Sequence, residues 1–151
     1  MHIGIPKETR DGETRVAATP ETVKKYIGGK HTVVVERGAG TAARYLDDAY
    51  EAAGATLGSA QDALGAELVM KVRAPSAAEL PHMKPGTVVV GMLDPFDAEG
   101  LEQMAGAGLV GFALEAAPRI TRAQSLDVLS SQANLAGYKA VLLAAHHYLS
   151  L

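Results

Sequence analysis

The sequence predicts an α/β protein with a mostly parallel, doubly wound sheet, helices on both faces of that sheet and a long apolar helix at the end. Short runs rich in β-branched residues alternate along the chain with stretches of helical spacing, which is the order expected of βαβ units. Several runs are apolar on successive residues, as strands buried on both faces are. Strands are therefore expected at residues 2–5, 32–36, 68–72, 87–91 and 109–114.

Helix boundaries are indicated by capping residues and glycines. Thr19 is a suitable N-cap, Pro20 and Glu21 suit the first turn, and Gly28 is a natural stop. The final stretch is helical in spacing and very apolar, so it needs a packing partner on most faces. Further helices are expected at residues 47–53, from the cap at residue 97 to about residue 107, and at residues 125–151.

Composition excludes several classes of function. The chain has 151 residues, of which 48% are hydrophobic and 21% charged, so we expect one ordinary globular domain. A net charge of -3 argues against nucleic acid as a partner, and the absence of cysteine excludes disulfides and thiolate chemistry. No metal site is expected, because the adjacent His146 and His147 would point in different directions on a helix. No signal peptide or membrane-spanning run is visible, so the sequence favours a cytoplasmic protein.

The most informative stretch is residues 118–134, which lies between an apolar strand and the final helix. It contains two arginines, three amide side chains, an aspartate and several hydroxyls. Such polarity suits a loop that positions a polar ligand. It equally suits an N-capping loop, with Thr121 or Ser125 as the cap, and the chemistry alone leaves the two interpretations balanced.

Two smaller patterns have a functional and a structural interpretation. Residues 38–43 fit the spacing of a dinucleotide fingerprint, but the next strand candidate, residues 55–57, closes with Gly58 instead of an acid, so a tight turn is favoured. Arg15 and Lys71 each lie near the carboxyl end of a strand, where ligands of parallel sheets gather. Together they could bind a carboxylate, or each could pair with an acid of the chain, and the second interpretation is favoured.

Several motifs resemble one known family. Residues 15–20 (RVAATP), residues 36–40 (ERGAG) and Lys71 with Val72 resemble the N-terminal domain shared by alanine dehydrogenase and the proton-translocating NAD(P) transhydrogenase. Residues 118–127, the serines at 130 and 131 and residues 136–138 (AGY) are more specific, and resemble the alpha, NAD(H)-binding subunits of the transhydrogenases. The fold implied is flavodoxin-like. Alanine dehydrogenases use a histidine after the strand that matches residues 87–91, and this sequence has none there.

The resemblance implies a hydride transfer from NADH on this subunit to NADP⁺ on a partner component, coupled to proton translocation through a membrane component. It implies that Gln124 is the catalytic side chain that reaches toward NADP(H), and that Arg15 and Lys71 form a possible vestigial carboxylate site. It also implies a homodimer of the alpha subunit, peripheral to the inner membrane through its partners. The implied NAD(H)-binding residues are Arg119, Asp127, Ser130 and Ser131.

The family's Rossmann domain is expected to follow the long helix. Residues 1–124 then form the N-terminal domain, and residues 125–151 lead toward a Rossmann domain that is absent from this chain. We expect the chain alone to bind NAD(H) very weakly, to have no turnover and to self-associate through the apolar helix. The alternatives are an alanine-dehydrogenase-like oxidoreductase and a non-catalytic, stand-alone domain.

Overall fold

The computed structural model describes residues 1–118 and 120–148, and its contacts divide the chain into two compact units. The first unit, Met1–Ala113, contains the sheet, and the second, Leu114–Leu151, contains the final helix. The boundary that we expected between residues 124 and 125 therefore falls inside the second of these units. No helix among the described residues combines the length and hydropathy that crossing a bilayer requires.

The first unit is built on a six-stranded, fully parallel sheet. All five predicted strands are confirmed to within one residue, and the short candidate near residue 56 is a sixth. The five predicted strands follow the order 2-1-3-4-5, which is flavodoxin-like, and the sixth extends one edge to give the order β3-β2-β1-β4-β5-β6. The strands are His2–Ile5 (β1), Thr32–Glu36 (β2), Thr56–Gly58 (β3), Leu68–Arg73 (β4), Val88–Met92 (β5) and Val110–Ala113 (β6).

Five α-helices accompany the strands in the described part of the chain. The first, second and fourth were predicted with their ends to within one residue, and the cap at Asp97 is confirmed by a hydrogen bond from the Gly100 N–H. The third was missed, although Ser59 and Asp62 form a reciprocal capping box at its start. The helices are Pro20–Gly28 (α1), Asp47–Ala52 (α2), Ala60–Leu64 (α3), Ala98–Gly106 (α4) and Val128–His147 (α5).

The start of α5 corrects a prediction. Asp127 is its N-cap, with the side chain accepting from the Ser130 N–H, so neither Thr121 nor Ser125 caps the helix. Residues Thr121–Leu126 form a 3₁₀ segment before it. At twenty residues α5 is long, as expected, but its first two turns carry serines and amides, so it is not apolar along its whole length.

Apolar side chains pack on both faces of the sheet, as the doubly wound arrangement requires. One cluster contains Ile3 and Ile5 of β1 with Val23 of α1, and the other contains Val69 of β4 with Leu64 of α3. The chain order reverses between β1 and β4, so the carboxyl ends of these strands form the switch point where ligands of open α/β sheets bind.

One half of the first face remains open within residues 1–113. The strand register aligns Val88 with Val110 and Val90 with Phe112 on this face. Helices α1 and α2 pack over β2 and β3, whereas α4 lies on the opposite face, where Met104 joins the second cluster. Val110 and Phe112 are consequently 47% and 58% exposed.

Candidate functional site

A pocket of about 310 Å³ lies in the second unit, beside the start of α5. Polar side chains from the 3₁₀ segment and from the first turn of α5 line it, namely Gln124, Asp127 and Ser130. Leu114 and Pro118 contribute apolar surface. Three of the predicted site residues therefore share one concave surface.

Asp127 organises this pocket by two hydrogen bonds. Its Oδ1 accepts from the Ser130 N–H at 2.9 Å, and its Oδ2 accepts from the Ser130 hydroxyl at 2.6 Å. A carboxylate at a helix N-terminus also interacts favourably with the helix dipole. The same side chain thus starts α5 and fixes the rotamer of Ser130.

Gln124 and Ser131 differ in their relation to the pocket. Gln124 is exposed at the wall of the pocket, and its backbone carbonyl oxygen accepts a hydrogen bond from the Asp127 N–H at 3.3 Å. Ser131 does not line the pocket, and its N–H donates to the Asp127 carbonyl oxygen at 3.3 Å. Arg119, the remaining predicted member, lies outside the described residues.

We expect Asp127→Ala to lower the stability of the helical second unit by about 1 kcal/mol, because the first turn of α5 loses its cap. Asp127→Asn is the matched control, since asparagine is an equally good cap and should retain most of that stability. Far-ultraviolet circular dichroism followed through thermal unfolding measures both variants. Equal losses in the two would show that the cap is not what Asp127 contributes.

A second polar cluster lies in the first unit, at the switch point. Lys71 is 1% exposed, and its Nζ donates to Glu79 Oε1 at 2.7 Å and lies 3.6 Å from Glu8 Oε2. Glu8 also accepts from the Val72 N–H at 2.6 Å and the Arg73 N–H at 3.4 Å, where the pairing of β4 with β5 shifts register. Burial raises the pKa of Glu8 above its usual value, and the positive charge of Lys71 opposes the shift.

Glu13 holds two arginines beside this cluster. It accepts from Arg15 Nε at 2.7 Å and Nη2 at 2.5 Å, and from Arg73 Nε at 3.0 Å. The hydrogen bonds from Arg15 are the main reason that the pKa of Glu13 falls to about 2. Arg15 and Lys71 therefore each have acidic partners within the chain. Both residues lie near the carboxyl ends of the strands.

Glu79 and Arg73 are members of this cluster that the sequence interpretation did not name. A signal for Glu79 was present, because Ser76 and Glu79 have the S-x-x-E spacing of a capping box. The structure uses that spacing: Glu79 Oε2 accepts from the Ser76 N–H at 2.7 Å and from its hydroxyl at 2.9 Å. The same carboxylate thereby presents its other oxygen to Lys71.

The ionisation of Glu13 predicts how stability falls in acid. The pKa of Glu13 in the folded protein lies below the ordinary value of 4.5. The stability that its ionised carboxylate contributes is therefore present above about pH 4.5 and is lost as the pH falls toward 2. We expect Glu13→Gln to lower the free energy of unfolding at neutral pH by about 1–2 kcal/mol, a value reduced because both arginines are partly exposed.

Denaturant unfolding at a series of pH values measures this difference between the wild type and Glu13→Gln. The gap should close between about pH 4.5 and about pH 2. A gap that stays constant over this range would mean that the lost hydrogen-bonding geometry, and not the charge of Glu13, sets the effect.

The glycine-rich loop at residues 38–43 is a tight turn. Gly38 has a φ of +75°, and its N–H donates to Asp47 Oδ1 at 2.9 Å. A Cβ on Gly40 would meet the ring of Tyr50 at 2.7 Å, so the turn is packed against the core. The second half of the loop, Thr41–Ala43, is a three-residue 3₁₀ turn and not the start of an α-helix, so the loop lacks the helix N-terminus on which a dinucleotide fingerprint depends.

The parallel sheet and its polar switch point define a doubly wound α/β domain with chemistry-bearing side chains at the carboxyl ends of its strands. The family model described as alanine dehydrogenase/PNT, N-terminal domain, matches residues 4–136, and the chain belongs to this family.

Within the family the chain is more similar to transhydrogenases than to alanine dehydrogenases. It is 39% identical to the NAD(P) transhydrogenase subunit alpha of Haemophilus influenzae, over 98% of this chain and 29% of that protein. The crystal structure of transhydrogenase from Sinorhizobium meliloti matches with a TM-score of 0.94 and 51% identity, over 99% of this chain and 45% of that one. Alanine dehydrogenase 1 of Staphylococcus aureus is 32% identical, over 97% of this chain and 39% of that protein. The chain thus spans less than half the length of these relatives.

Proposed function

We propose that this chain is part of the alpha subunit of an NAD(P) transhydrogenase, in which hydride passes from NADH to NADP⁺ in a reaction coupled to proton translocation. The observation that carries the proposal is the pocket beside α5. Its lining combines an amide, a carboxylate and a hydroxyl from residues that match the transhydrogenase motif, Gln124, Asp127 and Ser130. The greater similarity to transhydrogenases than to alanine dehydrogenases supports the same conclusion.

The residues present fit the nicotinamide end of NAD(H). A volume of about 310 Å³ is at the lower end of the range for ligand pockets, which suits one end of a dinucleotide better than the whole. A carboxamide has both hydrogen-bond donors and an acceptor, and the side chains of the pocket can complement both. Arg119 and Ser131, named from the sequence, complete the proposed set of cofactor-binding residues.

The bound dinucleotide supplies the hydride chemistry from its reduced nicotinamide ring. The protein residues then need only to hold the ring in a reactive orientation, because hydride transfer requires no acid or base from the protein. Asp127 fixes Ser130 through the 2.6 Å hydrogen bond, so that hydroxyl is pre-positioned. Gln124, exposed at the wall of the pocket, is the side chain that we assign to the side facing NADP(H).

This function requires partners. The NADP(H) site belongs in this proposal to a separate component, and the proton pathway to a membrane component. A homodimer of the alpha subunit, held peripherally at the inner membrane by these components, is the assembly that the proposal implies.

An NMR titration of the isotopically labelled chain with NADH tests the binding step. We expect weak binding, with amide shifts concentrated in residues 114–131 around the pocket. Asp127→Asn preserves the helix cap but removes the carboxylate, and it should weaken these shifts without unfolding α5. Shifts confined to residues outside the second unit would contradict the proposal.

Activity in the assembled transhydrogenase tests the transfer step. Gln124→Ala should lower the rate of hydride transfer by about 10-fold to 100-fold, because misalignment of the reacting rings is costly. Gln132→Ala is the matched control, an amide eight residues further along, on α5, that does not line the pocket. Equal effects of the two variants would remove the special role of Gln124.

The alternative, an alanine-dehydrogenase-like activity, is favoured by one observation. Lys71 lines a cavity of about 150 Å³ at the switch point, and Arg15 lies nearby, bonded to the same Glu13 that binds Arg73. Against it, β5 ends at Met92 and leads into Leu93, Asp94 and Pro95, where no histidine is present. Pyruvate added in the same NMR titration would shift the Lys71 and Arg73 amides if this alternative were correct.

A further inference from the structure

An exposed turn in the loop between β1 and α1 contains an Asp–Gly pair. Asp11 and Gly12 lie at its tip, and the Glu13 N–H closes the turn by donating to the Arg10 carbonyl oxygen at 3.1 Å. Both tip residues are exposed, and Gly12 has a φ of +74°. No other aspartate or asparagine in the sequence is followed by glycine, so this pair is chemically distinct.

The side chain of Asp11 is not held in place, in contrast to several other aspartates of the chain. Asp62, Asp97 and Asp127 each accept a hydrogen bond from a backbone N–H at the start of a helix. Within the described residues the carboxylate of Asp11 has no hydrogen bond or ion pair. Its Cγ can therefore approach the backbone nitrogen of Gly12, and a bond between these two atoms would close a five-membered ring.

Gly12 leaves its backbone nitrogen accessible to that approach. A Cβ at this position would meet no atom within 4 Å, so neighbouring groups do not crowd the turn. Glycine also has no side chain to shield its nitrogen, and its backbone rotates more freely than that of any other residue. Ring closure requires such rotation, which an exposed turn permits and a helix does not.

We propose that the Asp11–Gly12 pair is a site of spontaneous isoaspartate formation, independent of the function proposed above. The Gly12 nitrogen attacks Cγ of the protonated Asp11 carboxyl group, and its proton leaves with the hydroxyl group as water, which gives a succinimide. Water then adds to the main-chain carbonyl carbon of the ring, and the bond from that carbon to the Gly12 nitrogen breaks. The product has the mass of the original chain, but its backbone runs through Cβ and Cγ of residue 11, and the α-carboxylate is released.

The added main-chain carbon lies beside a contact that joins this loop to β4. Glu13 directly follows the pair, and its carboxylate accepts a hydrogen bond from Arg73 Nε at 3.0 Å. One more backbone carbon lengthens the turn by about 1.5 Å. The hydrogen bond that closes the turn is then broken and Glu13 is displaced. Isoaspartate formation therefore weakens the contact between Glu13 and Arg73 and loosens the loop.

Prolonged incubation of the whole folded chain at neutral pH tests the site. Isoaspartate is then labelled with a methyltransferase specific for isoaspartyl carboxylates and located by peptide mapping. The internal reference is Asp48, an exposed aspartate followed by alanine within α2. We expect the label on the peptide that contains residue 11 to exceed that on the Asp48 peptide several-fold. Equal labelling of the two peptides, or no label at residue 11 of the folded chain, would overturn the proposal.

Two substitutions at residue 11 should change the labelling in opposite directions. Asp11→Asn should speed isoaspartate formation several-fold at neutral pH, because a neutral side-chain amide is attacked more readily than a carboxylate. Asp11→Glu is the matched control, since it retains the charge but would have to close a six-membered ring, and its label should be lost. Labelling of Asp11→Glu at the wild-type level would show that the signal arises at another residue.

The isomerised chain, separated by chromatography, tests the effect on the loop. The NMR signal of the Arg73 Nε–H should shift relative to that of the unmodified chain, and its hydrogen exchange should become faster. The Gly38 N–H, which donates to Asp47 in a different loop, is the control and should keep its shift and exchange rate. An unchanged Arg73 signal would contradict the loosening, because it would mean that the turn accommodates the added carbon without moving Glu13.

Discussion

Replacing Lys71 with methionine is expected to lower the free energy of unfolding by about 3–5 kcal/mol. The substitution keeps the apolar stem but removes the ammonium group that lies 2.7 Å from Glu79 and 3.6 Å from Glu8. Both buried carboxylates then lose the ammonium group that they share. The penalty of that state, more than the intrinsic strength of the ion pairs, sets the size of the loss.

Denaturant unfolding measures the Lys71→Met effect, and Lys25→Met provides the matched control. Lys25 pairs with Glu21 at 2.9 Å, but both side chains are mostly exposed, so that change should be barely measurable. The Lys71→Met deficit should also shrink in acid, because burial already raises the pKa of Glu8 and protonation of that carboxyl group relieves part of the uncompensated charge. A Lys71→Met protein as stable as the wild type would show that the cluster is well hydrated instead of buried.

Gly4→Ala is expected to cost about 3 kcal/mol or more. A Cβ at Gly4 would lie well inside contact distance of the Ala63 carbonyl oxygen, and 2.9 Å from the Cβ of Ala66. Because the first obstacle is backbone, no change of side-chain rotamer can relieve it. Helix α3 would have to move away from β1, which disturbs the core around Leu64 and Val69.

Thermal or denaturant unfolding measures this loss too, and Gly106→Ala is the control. Gly106 ends α4, its added Cβ would meet no atom within 4 Å, and alanine is the better helix former, so that variant should be at least as stable as the wild type. Comparable losses in the two proteins would contradict the close packing of α3 on β1.

The local chemistry of the sequence predicted most of the fold. Continuous apolar runs located five strands because buried parallel strands need both faces apolar. Capping residues and glycines predicted the ends of α1 and α4, because the hydrogen bonds that end a helix join residues close together in the sequence. Helix α3 was missed because its five residues are too few for a helical period to be visible, although Ser59 and Asp62 indicated a start. At α5, two hydroxyl residues were considered as caps, and the aspartate that follows them is the cap.

The two polar sites differ in how far they could be predicted. Gln124, Asp127 and Ser130 are three residues apart, so their proximity is a local property. The partners of Lys71, in contrast, are brought to it by the tertiary structure. Glu8 is contributed by the loop that follows β1, and Glu79 by the loop that follows β4. The sequence indicated that Lys71 needed an acid, but only the tertiary structure shows that it has two.

The open half of the first sheet face has a consequence for the behaviour of the protein in concentrated salt. Val110 and Phe112 present apolar surface beside the partly buried Val88 and Val90. Sulfate and other kosmotropic salts are excluded from protein surfaces and so strengthen the burial of such patches. Phe112→Thr should therefore raise the ammonium sulfate concentration at which the chain precipitates. The difference between the two concentrations measures how far the apolar area of this face promotes association.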